Sequence, residues 1–157
     1  MRLKNWSSYF TILLVSGLVF PGFSACQEAQ STLPTLVVHK TPTCGCCSNW
    51  IDHVKAAGFP VEVHDHQSLA LIKAENGVDV ELRSCHTATV AGYVIEGHVP
   101  ADDIIQLVTE QPDIKGIAVP GMPIGSPGME QGPRVQPYRV VSWDEAGSTA
   151  VFAEYGS

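Results

Sequence analysis

Three cysteines fall within four positions in Thr43-Cys44-Gly45-Cys46-Cys47, directly after a short run of β-forming residues from Leu36 to His39. Thr41-Pro42-Thr43 interrupts that run, and from Ser48 to Ala57 apolar residues recur at helical spacing. The stretch therefore predicts strand, turn and helix, with the thiols at the helix start. Unpaired backbone N–H groups and the positive dipole end favour thiolate there, so Cys44 and Cys47, three apart on one face, are expected to have pKa values below about 8.5. Thiolate is both the nucleophile of disulfide exchange and the ligand of soft metals. Cys46 separates the two chemistries. Exchange needs two sulfurs, and Cys46 cannot form a relaxed disulfide with its neighbour Cys47. Three clustered soft donors suit Cu(I) or another thiophilic metal.

The elements that must position these thiols can be read in order. Gly58 suits the end of the first helix, Val61 to His64 alternates as a strand does, and Asp65-His66-Gln67 turns the chain. Ser68 can cap a helix with Leu69, Leu71 and Ile72 on its buried side, ended by Asn76-Gly77. Ala88 to Ile95 reads as a strand, Glu96-Gly97 as a hairpin turn and His98-Val99 as a short return strand. Pro100, Asp102 and Asp103 mark a helix start, Ile104, Ile105, Leu107 and Val108 its apolar stripe, and Pro112 its end. This order, βαβα then ββα, predicts an α/β, thioredoxin-like domain with a central mixed sheet and flanking helices. Gly116 to Pro137 holds five Gly and five Pro in 22 residues and reads as one long loop, of a kind that is usually functional or disordered. Tyr138 to Trp143 and Thr149 to Tyr155 then add a C-terminal β-hairpin.

At 157 residues, 45% apolar and 16% charged, the chain has room for one core. Residues 1–26 read as a signal peptide: Arg2 and Lys4 precede an apolar run from Tyr9 to Phe20, too short for a bilayer span of about 20 residues. The small residues before Cys26 resemble a bacterial lipobox, although Phe23 stands where Leu is usual. Lipidation of Cys26 competes with simple cleavage nearby and a soluble periplasmic product. Gln27 is not the Asp that resembles an inner-membrane retention signal, so an anchored form is expected at the outer membrane. Residues 27–34 read as a tether and 35–157 as the domain. The net charge of −7, more negative once Arg2 and Lys4 are removed, disfavours nucleic acid and anionic membrane surfaces as partners.

With Cys44-Gly45-Cys46-Cys47, Ser84-Cys85-His86-Thr87 and the loop Gly121-Met122-Pro123 with Gly125-Ser126-Pro127-Gly128-Met129 in this order, the chain resembles bacterial periplasmic copper-resistance proteins of the CopG type over roughly Thr35 to Tyr155. The resemblance implies a thioredoxin-like fold and copper handling in the cell envelope, with the cysteines gathering Cu(I), in one form as a multinuclear cluster. Its partners would be copper ions and other envelope copper-handling or redox proteins. It leaves storage, delivery and reduction of copper open.

In a thioredoxin-like fold the turn before the hairpin lies against the start of the first helix, which predicts that Cys85 faces Cys44, Cys46 and Cys47. The plainer alternative is two disulfides in an oxidising compartment, and structural zinc is a third. A Cys44–Cys47 disulfide in an oxidised form is compatible with metal binding by the reduced one. His86 is either a ligand or a hydrogen-bonding neighbour. Met122 and Met129 are candidate thioether ligands if the loop folds over the helix start, and packing residues otherwise. His64 and His66, two apart at a strand end, could share a metal or be exposed turn residues. His39 ends the first strand, His53 is expected to be solvated, His98 to sit in the hairpin and Trp50 to be core. Two function classes result: a Cu(I)-binding resistance protein, and a thiol–disulfide oxidoreductase with Cys44 as nucleophile and Cys47 as resolving thiol. Whether the thiols turn over as an enzyme stays open between them, and Cu(II) reduction before Cu(I) binding would join them.

Overall fold

The computed structural model describes residues 33–156, so the signal-peptide and Cys26 readings, with most of the tether, lie outside the described residues. The elements are β1 (Leu36–Lys40), α1 (Gly45–Ala56), β2 (Val61–Asp65), α2 (Ala70–Glu75), a 3-10 turn at Val80–Leu82, β3 (Thr87–Val90), β4 (Tyr93–Glu96), α3 (Ala101–Glu110), β5 (Gly116–Ala118), β6 (Tyr138–Trp143) and β7 (Thr149–Tyr155). The strands form one mixed sheet in the order β2-β1-β3-β4-β5-β6-β7. The β1–β2 and β4–β5 pairs are parallel and the others antiparallel. The C-terminal hairpin joins this sheet through β6, which extends it beyond β5.

Alternation along the strands divides the core between the two faces. Leu36 and Val38 of β1 and Ile95 of β4 pack on one face against Trp50, Ile51 and Val54 of α1 and Ile104 and Leu107 of α3. On the other face Val94, Ala118 and Trp143 pack with Val78 and Leu82. Leu33, read as tether, packs against the first of these clusters.

Three elements depart from the sequence reading. The hairpin turn is Ala91-Gly92, with φ of 49° and 89°, the consecutive left-handed pair that two-residue hairpins favour. Ala88 to Ile95 is thus divided between two strands, with Glu96 ending the return strand β4 and Gly97 following it. The β-formers on both sides of Ala91-Gly92 hid the turn. The long loop begins with β5, for which Gly116 is needed: a Cβ there would lie 2.1 Å from Val94 O and 2.7 Å from Trp143 Cη2. In α2, Leu71 is exposed and Lys73 is buried instead. The Lys73 Nζ donates to Thr87 Oγ1 at 3.0 Å and to Glu96 Oε1 at 2.5 Å, so a charge partner overrides the apolar pattern.

Candidate metal centre

Cys44 is the N-cap of α1, with an extended ψ of 94°, and Gly45 opens the helix. The turn from β1 therefore delivers Cys44, Cys46 and Cys47 to one helix start, as the spacing predicts. Cys44 and Cys47 form a disulfide with Cα atoms 5.3 Å apart, which replaces the paired low-pKa thiolates expected there, and among the described residues Cys46 and Cys85 are free thiols. The segment before β3 carries Cys85 to the same place. Its Sγ lies 3.4 Å from Cys47 Sγ and 3.9 Å from Cys46 Sγ, and Cys46 Sγ is 3.5 Å from Cys44 Sγ. Two thiolates on one ion at about 2.3 Å would stand about 3.8 Å apart in tetrahedral geometry, so these spacings fit shared metal ligation.

Position of the Cys85 segment is set by the buried Lys73–Glu96 pair. Glu96 Oε1 accepts the Ser84 N–H at 2.6 Å, and the Gly121 N–H donates to Arg83 O at 3.1 Å. The turn holding Cys85 is thereby tied to β4, α2 and the start of the long loop.

Two histidines complete the surroundings of Cys85, of which only His86 is evident from the sequence. His98, read as a hairpin residue, is fully buried, with Nε2 3.0 Å from Cys85 Sγ. Its Nδ1 is 2.8 Å from Pro127 O, a carbonyl that can only accept, so Nδ1 carries the proton and the Nε2 lone pair faces the sulfur. Burial lowers the His98 pKa, which keeps the ring neutral. A histidine fixed in this way by a second partner is the usual form of a metal-ligating imidazole. Placing the hairpin turn at Ala91-Gly92 would have been the signal, because it moves His98 out of the hairpin and alongside Cys85.

His86 is fully buried, with Nδ1 3.3 Å from Cys85 Sγ and its ring 4.3 Å from that of Trp50, which is core as expected. Burial first, then the charges of His98 and Lys73, hold its pKa well below the ordinary value. Its Nε2 has no hydrogen-bond partner among the described residues. Cys85 thus belongs to two groups of convergent donors, one with Cys44, Cys46 and Cys47 and one with His86 and His98. Burial, and next the neighbouring Cys46, push the Cys85 thiol up to about 12, so it stays protonated at neutral pH until a cation displaces the proton.

The long loop folds back over this centre. Gly128, at φ +82°, packs so closely that a Cβ would lie 2.7 Å from Trp50 N and 2.8 Å from Cys46 O. Met129 follows at the edge of the packed segment and is half-buried, whereas Met122 is exposed. His53 is not simply solvated: its Nε2 accepts the Ala101 N–H at 3.0 Å and satisfies one free donor at the start of α3. His39, His64 and His66 gather elsewhere, at the β1–β2 edge of the sheet.

A family model described as "Protein of unknown function, DUF411" matches residues 82–129, the stretch that holds Cys85, His86, His98 and the folded-back loop. Two solved structures, of "Copper resistance protein copG", Form 2 and Form 1, superpose with a TM-score of 0.76 at 45% identity. They cover 79% and 80% of this chain and 99% of their own chains. Among curated proteins nothing matches.

Proposed function

The chain belongs to the family of copper resistance protein CopG, and we propose that it binds Cu(I) in the cell envelope as part of copper resistance, through Cys44, Cys46, Cys47 and Cys85. The observation that carries this reading is Cys85 itself, whose sulfur lies within 3.4 Å of another sulfur and 3.0 Å of a lone-pair nitrogen. A thiolate so placed can bridge ions, which supports a multinuclear cluster with His98 as a nitrogen ligand and His86, whose Nδ1 lies 3.3 Å from Cys85 Sγ, as a second. Of the methionines, Met129 is the nearer candidate by its place beside Gly128, and the exposure of Met122 favours a role in receiving or passing on copper. The sheet order β2-β1-β3-β4 with α1 following β1 supports the thioredoxin-like reading. Residues 1–26, read as a signal peptide, support a periplasmic location, with the protein either anchored to the outer membrane through a lipidated Cys26 or released by cleavage nearby. Copper ions, together with envelope proteins that deliver, accept or reduce them, are the partners this reading requires.

The Cys44–Cys47 disulfide supports a second reading, in which the pair is redox-active. Two thiols that close into the disulfide release two electrons and two protons, enough to reduce two Cu(II) ions to Cu(I). Cys46, Cys85 and the histidines remain as donors for the product. The same pair could instead exchange with an envelope protein dithiol.

Cys46→Pro separates the readings. Proline is tolerated in the first turn of a helix, and the resulting Cys-Gly-Pro-Cys keeps the Cys44–Cys47 pair. X-ray absorption of the reduced, Cu(I)-loaded protein should show sulfur neighbours, and the variant should bind less Cu(I) and lose copper tolerance in cells. Equal tolerance at matched protein levels would show that Cys46 is a bystander beside a redox pair.

A further inference from the structure

We propose that His39, His64 and His66 form a second metal site, separate from the thiols, which takes a divalent ion that prefers imidazole nitrogen, Cu(II) first among them. The register of the parallel pair places these rings together: His39 of β1 is opposite His64 of β2, and His66 follows two residues later on the same face. The His66 N–H bonds Lys40 O at 2.8 Å and so continues the ladder that fixes its position. Along β1, Leu36 and Val38 point into the core that contains α1, so His39 stands on the opposite face of the sheet. The site is therefore not an extension of the cysteine cluster.

The facing nitrogens of His39 and His66 are spaced for a shared ion. His39 Nδ1 and His66 Nε2 are 3.0 Å apart. Two imidazole nitrogens at about 2.05 Å from one ion stand about 2.9 to 3.3 Å apart as their angle opens from square to tetrahedral. The ring centroids are 5.1 Å apart for His39 and His66 and 5.3 Å for His39 and His64.

A carboxylate supplies the supporting contact. His64 Nε2 lies 2.8 Å from Glu62 Oε1, so that nitrogen donates and Nδ1 is left as the ligand atom. The side chains of His64 and Glu62 are 44% and 60% exposed, so the pair is free to swing together toward the other two rings, as the proposed site requires. Burial, and next the charge of His66 and of His64, lower the His39 pKa, in keeping with a neutral donor. Imidazole sets of this kind suit Cu(II) and Zn(II), and Cu(II) stands at the top of the divalent affinity order. The site would give Cu(II) a place on the protein without contact with the thiols.

The plainer account of the same geometry is a His39–His66 hydrogen bond at an exposed strand end. The test uses the chain purified as its host matures it, carrying Cys46→Ser and Cys85→Ser with the Cys44–Cys47 disulfide kept, and titrated with Cu(II). Electron paramagnetic resonance should give one mononuclear Cu(II) signal with nitrogen superhyperfine structure from three rings. His39→Gln and His66→Gln should each abolish it, His98→Gln should leave it unchanged, and Glu62→Gln should weaken Cu(II) binding about 10- to 100-fold. His64→Gln, at an exposed position, should remove one nitrogen and keeps the test valid if His39→Gln perturbs the fold. A signal that survives both His39→Gln and His66→Gln, or that only His98→Gln removes, overturns the proposal.

Discussion

Replacing Gly128 by Ala should damage stability and copper binding together, because one methyl group would act on the strap that covers the centre. The added carbon would stand 2.7 Å from Trp50 N, 2.8 Å from Cys46 O and 3.1 Å from Trp50 Cα. All three are helix backbone atoms, which cannot turn aside. The φ of +82° adds a left-handed penalty of about 1–2 kcal/mol for alanine. If the strap lifts to relieve the clash, the Pro127 carbonyl leaves the buried His98 Nδ1–H without its partner, at about 1–3 kcal/mol. The sum, about 2–5 kcal/mol, corresponds to a fall in Tm of about 10 °C for a domain of this size. A freed His98 can also turn its protonated nitrogen toward Cys85, and loss of such a supporting contact weakens metal binding about 10- to 100-fold. Thermal unfolding and competition with a Cu(I) chelator measure the two effects. Gly132→Ala is the control: its φ is +62° with no atom within 4 Å of the added carbon, so it should lose only the backbone part and leave copper affinity unchanged. If the two alanine variants melt together and bind Cu(I) equally, the strap does not hold His98 and the reasoning fails.

Cu(I) binding should release the Cys85 proton, so affinity should rise about tenfold per pH unit on its account and go on rising above pH 9 toward the thiol's own value of about 12; chelator competition at a series of pH values should show Cys85→Ser with a slope lower by one proton. The sign for the metal-free protein is opposite: the fold keeps the proton that the unfolded chain gives up, so stability is lost as pH climbs from about 9 toward about 12, and denaturant midpoints across that range should not fall in Cys85→Ser as they do in the parent. Lys73→Met leaves the buried Glu96 carboxylate unpaired and should cost about 3–5 kcal/mol, with much of it restored by adding Glu96→Gln; chemical denaturation in which the single variant matches the parent would contradict the pairing. Cys26→Ser should move the protein from the membrane to the soluble periplasmic fraction, and an unchanged distribution on fractionation would show that Cys26 only lies near a cleavage point.

The sequence alone determined the strand, turn and helix that bring Cys44, Cys46 and Cys47 to one helix start, because those preferences act between near neighbours in the chain. The Ser84-Cys85-His86-Thr87 motif and the loop were legible as motifs, and with the fold order they predicted that Cys85 would meet the other sulfurs, as it does. Tertiary structure decided what depends on register and burial. His98 joins Cys85 only because the hairpin turns at Ala91-Gly92, one pair of residues between two runs of β-formers. Lys73 is buried only because Glu96 and Thr87 receive its charge from other strands, against the apolar pattern that assigned Leu71 to that side. His39 meets His64 and His66 through the pairing of two parallel strands, and parallel register joins residues that a whole helix separates in sequence. Local propensity carries no information about such pairs, since the energy that selects them is released only when the two strands pack.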